Sequence, residues 1–298
     1  MLIACDIGGT KFRVAKSKDG INFDEPIIKE TPKDPNEGLK MIAETIYDLV
    51  VKRDLQTGKI LKSEKIDSAV FGIAGVLDET HNFLIKAPHL TAWEKIPIRE
   101  FFEKELSKIS EKKGLFDLIL GRSNPPKIFV ENDTSIVGLG EAVAGAGKSF
   151  EKVVYITVST GIGGVKIVRG KFEENNFGFE PGFQILNNQT GENWEDLCSG
   201  TEVAKKSGME PKDFAKTGGW AEVEKNVAIG IHNCILHWSP DVVVVGGSMA
   251  RDFNFENLKN QITKMMKIHP TIPEIKMAEL GSIGGIYGGF AYLRDKNI

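Results

Sequence analysis

The chain has 298 residues, 41% of them hydrophobic and 27% charged, with a formal net charge of −3. That length accommodates two ordinary domains with a substantial core. The near-neutral balance gives neither nucleic acid nor an anionic membrane a reason to bind. No apolar run approaches the roughly 20 residues that span a bilayer. Met1 leads straight into a strand-like run, without the basic segment and apolar stretch of a signal peptide. The three cysteines, Cys5, Cys198 and Cys234, stand far apart, which excludes a paired metal motif and argues against a disulfide scaffold. A cytoplasmic protein is the expectation.

In chain order, Leu2 to Ile7 is an apolar run broken only by Asp6, Gly8-Gly9-Thr10 follows, and Phe12 to Ala15 resumes as a strand. Two strand runs joined by adjacent glycines predict a tight β-hairpin. Positive φ is one sufficient reason for those glycines. The neighbours add another: bare backbone N–H groups can approach phosphate oxygens, Thr10 and Lys11 offer a hydroxyl and a charge, and Asp6 offers a carboxylate able to hold Mg2+ through water. Ile21 to Ile28 reads as a third strand. Pro35 to Lys52 reads as a helix with Leu39, Ile42, Ile46 and Leu49 on one face. Residues 54–65 read as a polar surface loop. Ser68 to Ile73 is a buried strand entering the small-residue turn Ala74-Gly75, where backbone can come close to a ligand. Residues 87–93 form a loop with His89 at its polar tip, open to substrate contact or to simple solvation. Pro97 to Ile109 is an amphipathic helix with proline in its first turn.

The apolar run from Lys127 to Val130 ends abruptly in Glu131-Asn132-Asp133, and helical spacing follows through Ile136, Leu139 and Val143. Thr134 or Ser135 is the expected cap. Asn132 and Asp133 then lie at the carboxyl end of a buried strand, the edge where open α/β sheets place their ligands. A carboxylate there can act as a general base, or it can simply cap the helix.

Lys152 to Val158 is β-branched and ends in Ser159-Thr160-Gly161-Ile162-Gly163-Gly164, after which Val165 to Val168 resumes. Residues 6–14 and 157–168 are thus two similar hairpins, and a repeat on this scale predicts two related domains. Their boundary is expected near residues 130 and 131, with the terminal segment 284–298 returning to complete the first. Glu180 lies in the turn 179–183. Glu195 opens a short helix, as a ligand contact or as a solvated face. Gly218 to Trp238 is a long helix. Pro240 to Val245 is a buried strand whose following Gly246-Gly247 allows a flat ring or a phosphate to reach the backbone.

Assembled in order, Asp6-Ile7-Gly8-Gly9-Thr10-Lys11, Gly72-Ile73-Ala74-Gly75-Val76-Leu77-Asp78, Glu131-Asn132-Asp133, Ser159-Thr160-Gly161-Ile162-Gly163-Gly164, Glu180-Pro181-Gly182 and Val245-Gly246-Gly247 resemble the motifs of the ROK family of sugar kinases, within the actin–hexokinase–Hsp70 superfamily. The resemblance spans nearly the whole chain. It implies an α/β fold of two ribonuclease H-like (actin-like ATPase) domains with a cleft between them. It implies an ATP- and Mg2+-dependent kinase acting on a sugar, as a homodimer. Asp133 matches the family's catalytic base. Asn132, Glu180 and Glu195 match sugar contacts, joined by His89 and Gly75. Gly8, Gly9, Thr10, Lys11, Thr160 and Gly161 match phosphate contacts, Gly246 and Gly247 match the adenosine side, and Asp6 the magnesium side.

Three departures stand out. Alanine occupies position 74, where the family often has proline, and His89 stands where it usually has asparagine. Phe183 stands where a zinc-ligating histidine is expected, and the cysteine cluster across 184–197 is missing. No zinc is therefore expected, and Phe183, Ile185, Leu186, Trp194 and Leu197 are the residues expected to pack in its place. A hexose, glucose first, is the expected acceptor. N-acetylhexosamine, fructose, a polyphosphate donor and a catalytically weak sugar-binding protein stay open. A repressor of this family is disfavoured, because such proteins carry a helix-turn-helix ahead of the first hairpin.

Overall fold

The computed structural model describes every residue except 55, 58, 113, 122–124, 174, 176–177 and 297–298. Its contacts divide the chain into two units, Met1–Gly140 with Ser282–Ile298, and Glu141–Gly281. The sequence reading placed this boundary after residue 130; the contacts place it within the helix that follows Asn132.

The first unit contains β1 (Leu2–Ile7), β2 (Lys11–Ser17), β3 (Ile27–Glu30), α1 (Pro35–Val50), a hairpin of β4 (Val51–Arg53) and β5 (Ile60–Ser63), β6 (Ser68–Ile73), a hairpin of β7 (Val76–Leu77) and β8 (Leu84–Lys86), α2 (Ile98–Lys112), α3 (Phe116–Ile119) and β9 (Lys127–Asn132). Helix α4 (Asp133–Ala144) follows and runs past the division. The sheet order is β3-β2-β1-β6-β9. β2 runs antiparallel to both β1 and β3, whereas β1, β6 and β9 run parallel. β6 is buried along its whole length, as a strand covered on both faces must be. Phe71 on β6 stacks on Phe102 of α2, ring centroids 3.7 Å apart.

The second unit contains β10 (Lys152–Val158), β11 (Ile162–Val168), β12 (Lys171–Phe172), α5 (Trp194–Cys198), α6 (Gly200–Ser207), α7 (Pro211–Phe214), α8 (Trp220–Trp238), β13 (Val242–Gly246), α9 (Phe255–Met265) and β14 (Glu274–Met277). Its order, β12-β11-β10-β13-β14, repeats the first sheet position by position, with the same antiparallel and parallel pairings. Each unit has its own apolar core, one built on β1, β6, α1 and α2, the other on β10, β13, α8 and α9. Helix α10 (Gly284–Asp295) returns to the first unit, where Gly289 lies against Ala4 and Val70. Among the described residues no helix is long and apolar enough to cross a membrane.

Three elements differ from expectation. Residues 19–22 coil instead of extending, because the Asp19 carboxylate accepts the N–H groups of Ile21 and Asn22 at 2.8 Å. The third strand therefore starts only at Ile27. Residues 51–63 form a hairpin rather than a loop, with Lys52 opposite Lys62 and Val51 buried; Leu55 and Gly58 lie outside the described residues. Helix α4 begins at Asp133, ahead of both expected caps, Thr134 and Ser135. Asn132 caps it, accepting the Ser135 N–H at 3.0 Å.

Candidate active site

Strand register assembles the first half of the site. Ile7, Ile73 and Asn132 stand side by side across β1, β6 and β9, so Asp6 and Asp133 both lie at the carboxyl edge of the parallel strands. Burial raises the Asp6 carboxyl to about 7, and the Asp133 charge adds to the rise; the Arg13 guanidinium, 3.4 Å away, opposes it. Asp133 is likewise raised by burial, against bonds from Thr134 and a nearby His89 charge that lower it. Its Oδ1 accepts the Thr134 N–H at 2.7 Å.

Asn132 is largely committed inside the protein. Its oxygen caps α4, and its Nδ2 donates to the Gly75 carbonyl at 2.9 Å. That bond fixes the turn after β6, where Gly75 has φ 136° and its Cβ position is filled by the Lys86 carbonyl and Ala87. Only one amide N–H of Asn132 is left for a ligand.

The 8–11 turn is closed by the Gly8 N–H donating to the Lys11 carbonyl at 3.0 Å. Gly9 lies so close to His89 that any side chain there would overlap the histidine Cβ. Thr10, Lys11 and His89 are exposed. The structure thus brings Asp6, the glycine turn, His89 and Asp133 to one edge of one sheet. Sequence reasoning missed Arg13, although the signal was present: pairing across a two-glycine hairpin puts Arg13 opposite Asp6. It also missed Thr31 and Lys33, which hold the turn from outside.

In the second unit the Glu195 Oε1 accepts the Ile162 N–H at 2.6 Å and occupies the space beside Gly161. The Ser159 N–H donates to the Gly161 carbonyl at 2.9 Å, and the Thr160 carbonyl accepts both the N–H and the hydroxyl of Thr201. Glu180 is exposed at the 179–183 turn; desolvation by its neighbours, then the charge of Glu195, raises its carboxyl. Glu180, Glu195 and the Thr160-Gly161 turn are therefore neighbours within this unit. Gly246 ends β13, and Gly247 takes φ 91° against the Val158 carbonyl, a position no larger residue could occupy. Ser248 and Ser159 share a hydroxyl bond of 2.9 Å beside it.

The segment expected to pack in place of zinc ligands does so only in part. Trp194 is fully buried against Gly230 of α8. Leu186 is half-buried against the same core. Phe183 and Ile185, however, are 52% and 65% exposed. Polar bonds take over: Gln184 accepts from Asn233 at 2.8 Å, and an Asn193–Asp196 capping box closes α5. Among the described residues no group of three or more His, Cys, Asp or Glu side chains is placed to hold a metal ion. In the first unit Asp6 and Asp133 are the carboxylates a cation could face, because positive charge there would relieve the repulsion between them.

The family model for the ROK family matches residues 2–296. The chain belongs to the ROK family. A glucokinase of Thermotoga maritima is 27% identical over 57% of this chain and 45% of its own length. An N-acetyl-D-glucosamine kinase of Haemophilus influenzae is 23% identical over 99% of this chain and all of its own. The crystal structure of a ROK glucokinase from Streptomyces griseus, in complex with glucose and AMPPNP, superimposes with a TM-score of 0.68 at 20% identity, over 98% of each chain. The fold of this ROK protein is accordingly that of two ribonuclease H-like domains, as in the actin-like ATPases.

Proposed function

We propose that this carbohydrate kinase transfers the γ-phosphate of ATP to a hydroxyl of a hexose, glucose first, with Asp133 as general base. The observation that carries the reading is the convergence of Asp133, Asp6 and the 8–11 turn at one sheet edge. A sugar hydroxyl is a weak nucleophile while it keeps its proton. Burial raises the Asp133 carboxyl from its ordinary value, which moves it towards the pH at which a base must work. Little covalent work then remains, so positioning and charge neutralisation dominate. In the first unit His89, Gly75 and the free N–H of Asn132 are the candidate sugar contacts; in the second unit, taken by itself, Glu180 and Glu195 are. Gly8 to Lys11 in the first unit and Thr160-Gly161 in the second are each candidate phosphate contacts, and Gly246-Gly247 in the second is the candidate adenosine contact. Asp6 would hold Mg2+ through water, and the ion would supply further neutralisation of the phosphate charge. ATP is favoured over polyphosphate because a glycine pair at the end of a buried strand suits a nucleoside. Zinc has no part in the reading, because 183–200 holds Cys198 alone and no histidine.

N-acetylglucosamine is the second acceptor to weigh, since the kinase for that sugar aligns along the whole chain. We place the protein in the cytoplasm, as a homodimer, with its three cysteines free and buried. A panel of glucose, N-acetylglucosamine, N-acetylmannosamine and fructose, each with ATP or polyphosphate, tests the reading. Asp133→Asn should lower turnover by about 10²–10⁴ with a smaller change in sugar affinity. Near-normal turnover in that variant removes Asp133 from the role of base, and faster turnover with polyphosphate overturns the donor.

A further inference from the structure

The segment joining β3 to α1 fastens both the glycine turn and the His89 loop. Thr31 donates its hydroxyl to the Gly8 carbonyl at 2.8 Å and its N–H to the Thr10 carbonyl at 2.9 Å. Between those bonds, the Lys33 Nζ donates to the Gly9 carbonyl at 3.1 Å and to the His89 carbonyl at 3.2 Å. The Pro32 carbonyl accepts the Trp93 indole N–H at 3.3 Å, and the Trp93 ring fills the place a side chain at Gly38 would need.

Three consecutive carbonyls, those of Gly8, Gly9 and Thr10, are thus drawn towards one segment. In a trans peptide the N–H of the next residue points opposite to the carbonyl. Holding these carbonyls on one side turns the N–H groups of Gly9, Thr10 and Lys11 to the other, the arrangement an anion needs. Lys33 is the one member of the segment bonded to both the turn and the His89 loop. An ammonium has three donors, and two are used here on carbonyls 80 positions apart in numbering, Gly9 and His89.

We propose that Lys33 is a positioning residue that couples the phosphate turn 8–11 to the sugar-contacting loop 87–93, so that donor and acceptor are held by one cation. The inference rests on the kinase reading above. Thr31 serves the turn alone, and Lys33 serves both partners.

Lys33 is exposed, so its replacement opens no core. Binding of glucose and of Mg-AMPPNP should be measured separately by calorimetry for the wild type, Lys33→Met, Lys33→Arg and Thr31→Val, with kcat, KM and thermal melts alongside. Lys33→Met should weaken both ligands about three- to tenfold at a nearly unchanged melting temperature, as expected for charged bonds partly screened by water. Lys33→Arg should restore both. Thr31→Val should weaken the nucleotide and spare glucose. If Lys33→Met weakens one ligand only, or neither, while the wild type binds both, the coupling is wrong and the kinase reading survives. A wild type that binds neither ligand sinks both.

Discussion

The Glu195 carboxylate accepts the backbone N–H of Ile162 at 2.6 Å, which ties a proposed sugar contact to a proposed phosphate turn. A side chain used in this way is not free to serve the sugar alone. Glu195→Ala should therefore weaken the sugar and the nucleotide together, by about tenfold or more for the sugar. Glu195→Gln keeps an oxygen for Ile162 and should spare the nucleotide while lowering sugar use. Separate KM values for the two substrates check this; an alanine variant that loses only the sugar would show that the turn holds itself.

Trp194 fills the space above Gly230, and a methyl group there would run into the indole ring. Gly230→Ala should cost about 1–3 kcal/mol in chemical denaturation, the usual penalty for overpacking. Because Trp194 adjoins Glu195, the sugar KM should rise as well. An unchanged denaturation midpoint would show that α5 and α8 can separate freely.

Asp6 gives a stability that depends on pH. Its folded pKa of about 7 lies above the ordinary carboxylate value, so the folded chain holds this proton more tightly than the unfolded chain does. The contribution is complete below about pH 4 and is lost as pH rises through about 7. In Mg2+-free buffer, Asp6→Asn should gain on the wild type between those limits, by on the order of 4 kcal/mol near pH 8. A difference in melting temperature that stays flat with pH would mean that Arg13 already neutralises the site.

His81 behaves in the same direction for a different reason. Its Nδ1 lies 3.1 Å from Glu131, whose other oxygen accepts the Tyr292 hydroxyl at 2.5 Å. The bond to Glu131, then its charge, raises the His81 pKa against the opposing effect of burial, with smaller help from the Val130 carbonyl and the Asp78 charge. The stabilisation is present below the ordinary value near 6.5 and fades above the raised one. His81→Gln should lower the melting temperature slightly near pH 6 and leave it unchanged near pH 9. The effect stays small because the side chain is 45% exposed and water screens the pair. An equal loss at both pH values would assign His81 a packing role only.

Zinc removal is the simplest further check. Cys198 is buried and donates to the Trp194 carbonyl at 3.5 Å, which gives its thiol a place in the core of the second unit. Treatment with a zinc-selective chelator, followed by restored Mg2+, should leave kinase activity as it was. Activity lost in step with one zinc per chain would overturn this account of residues 183–200.

Periodicity and local chemistry determined a good deal without coordinates. Alternation and β-branching marked β1, β10 and β13; adjacent glycines after Ile7 and within 159–164 marked the hairpins; and the polar break at Asn132-Asp133 marked where β9 becomes α4. These features depend on neighbours in the chain, which a linear pattern records. The matching hairpins also disclosed that one topology is used twice, since the same local order recurs. Tertiary structure alone decided which distant groups share a bond. Lys33 reaches His89, Glu195 reaches Ile162, Trp194 reaches Gly230, and Tyr292 reaches Glu131. It also decided that Asn132 rather than Thr134 caps α4, and that Phe183 and Ile185 face solvent although both are apolar. A residue's type states what bonds it can make; only packing brings together partners that lie far apart along the chain, and packing is set by every element at once.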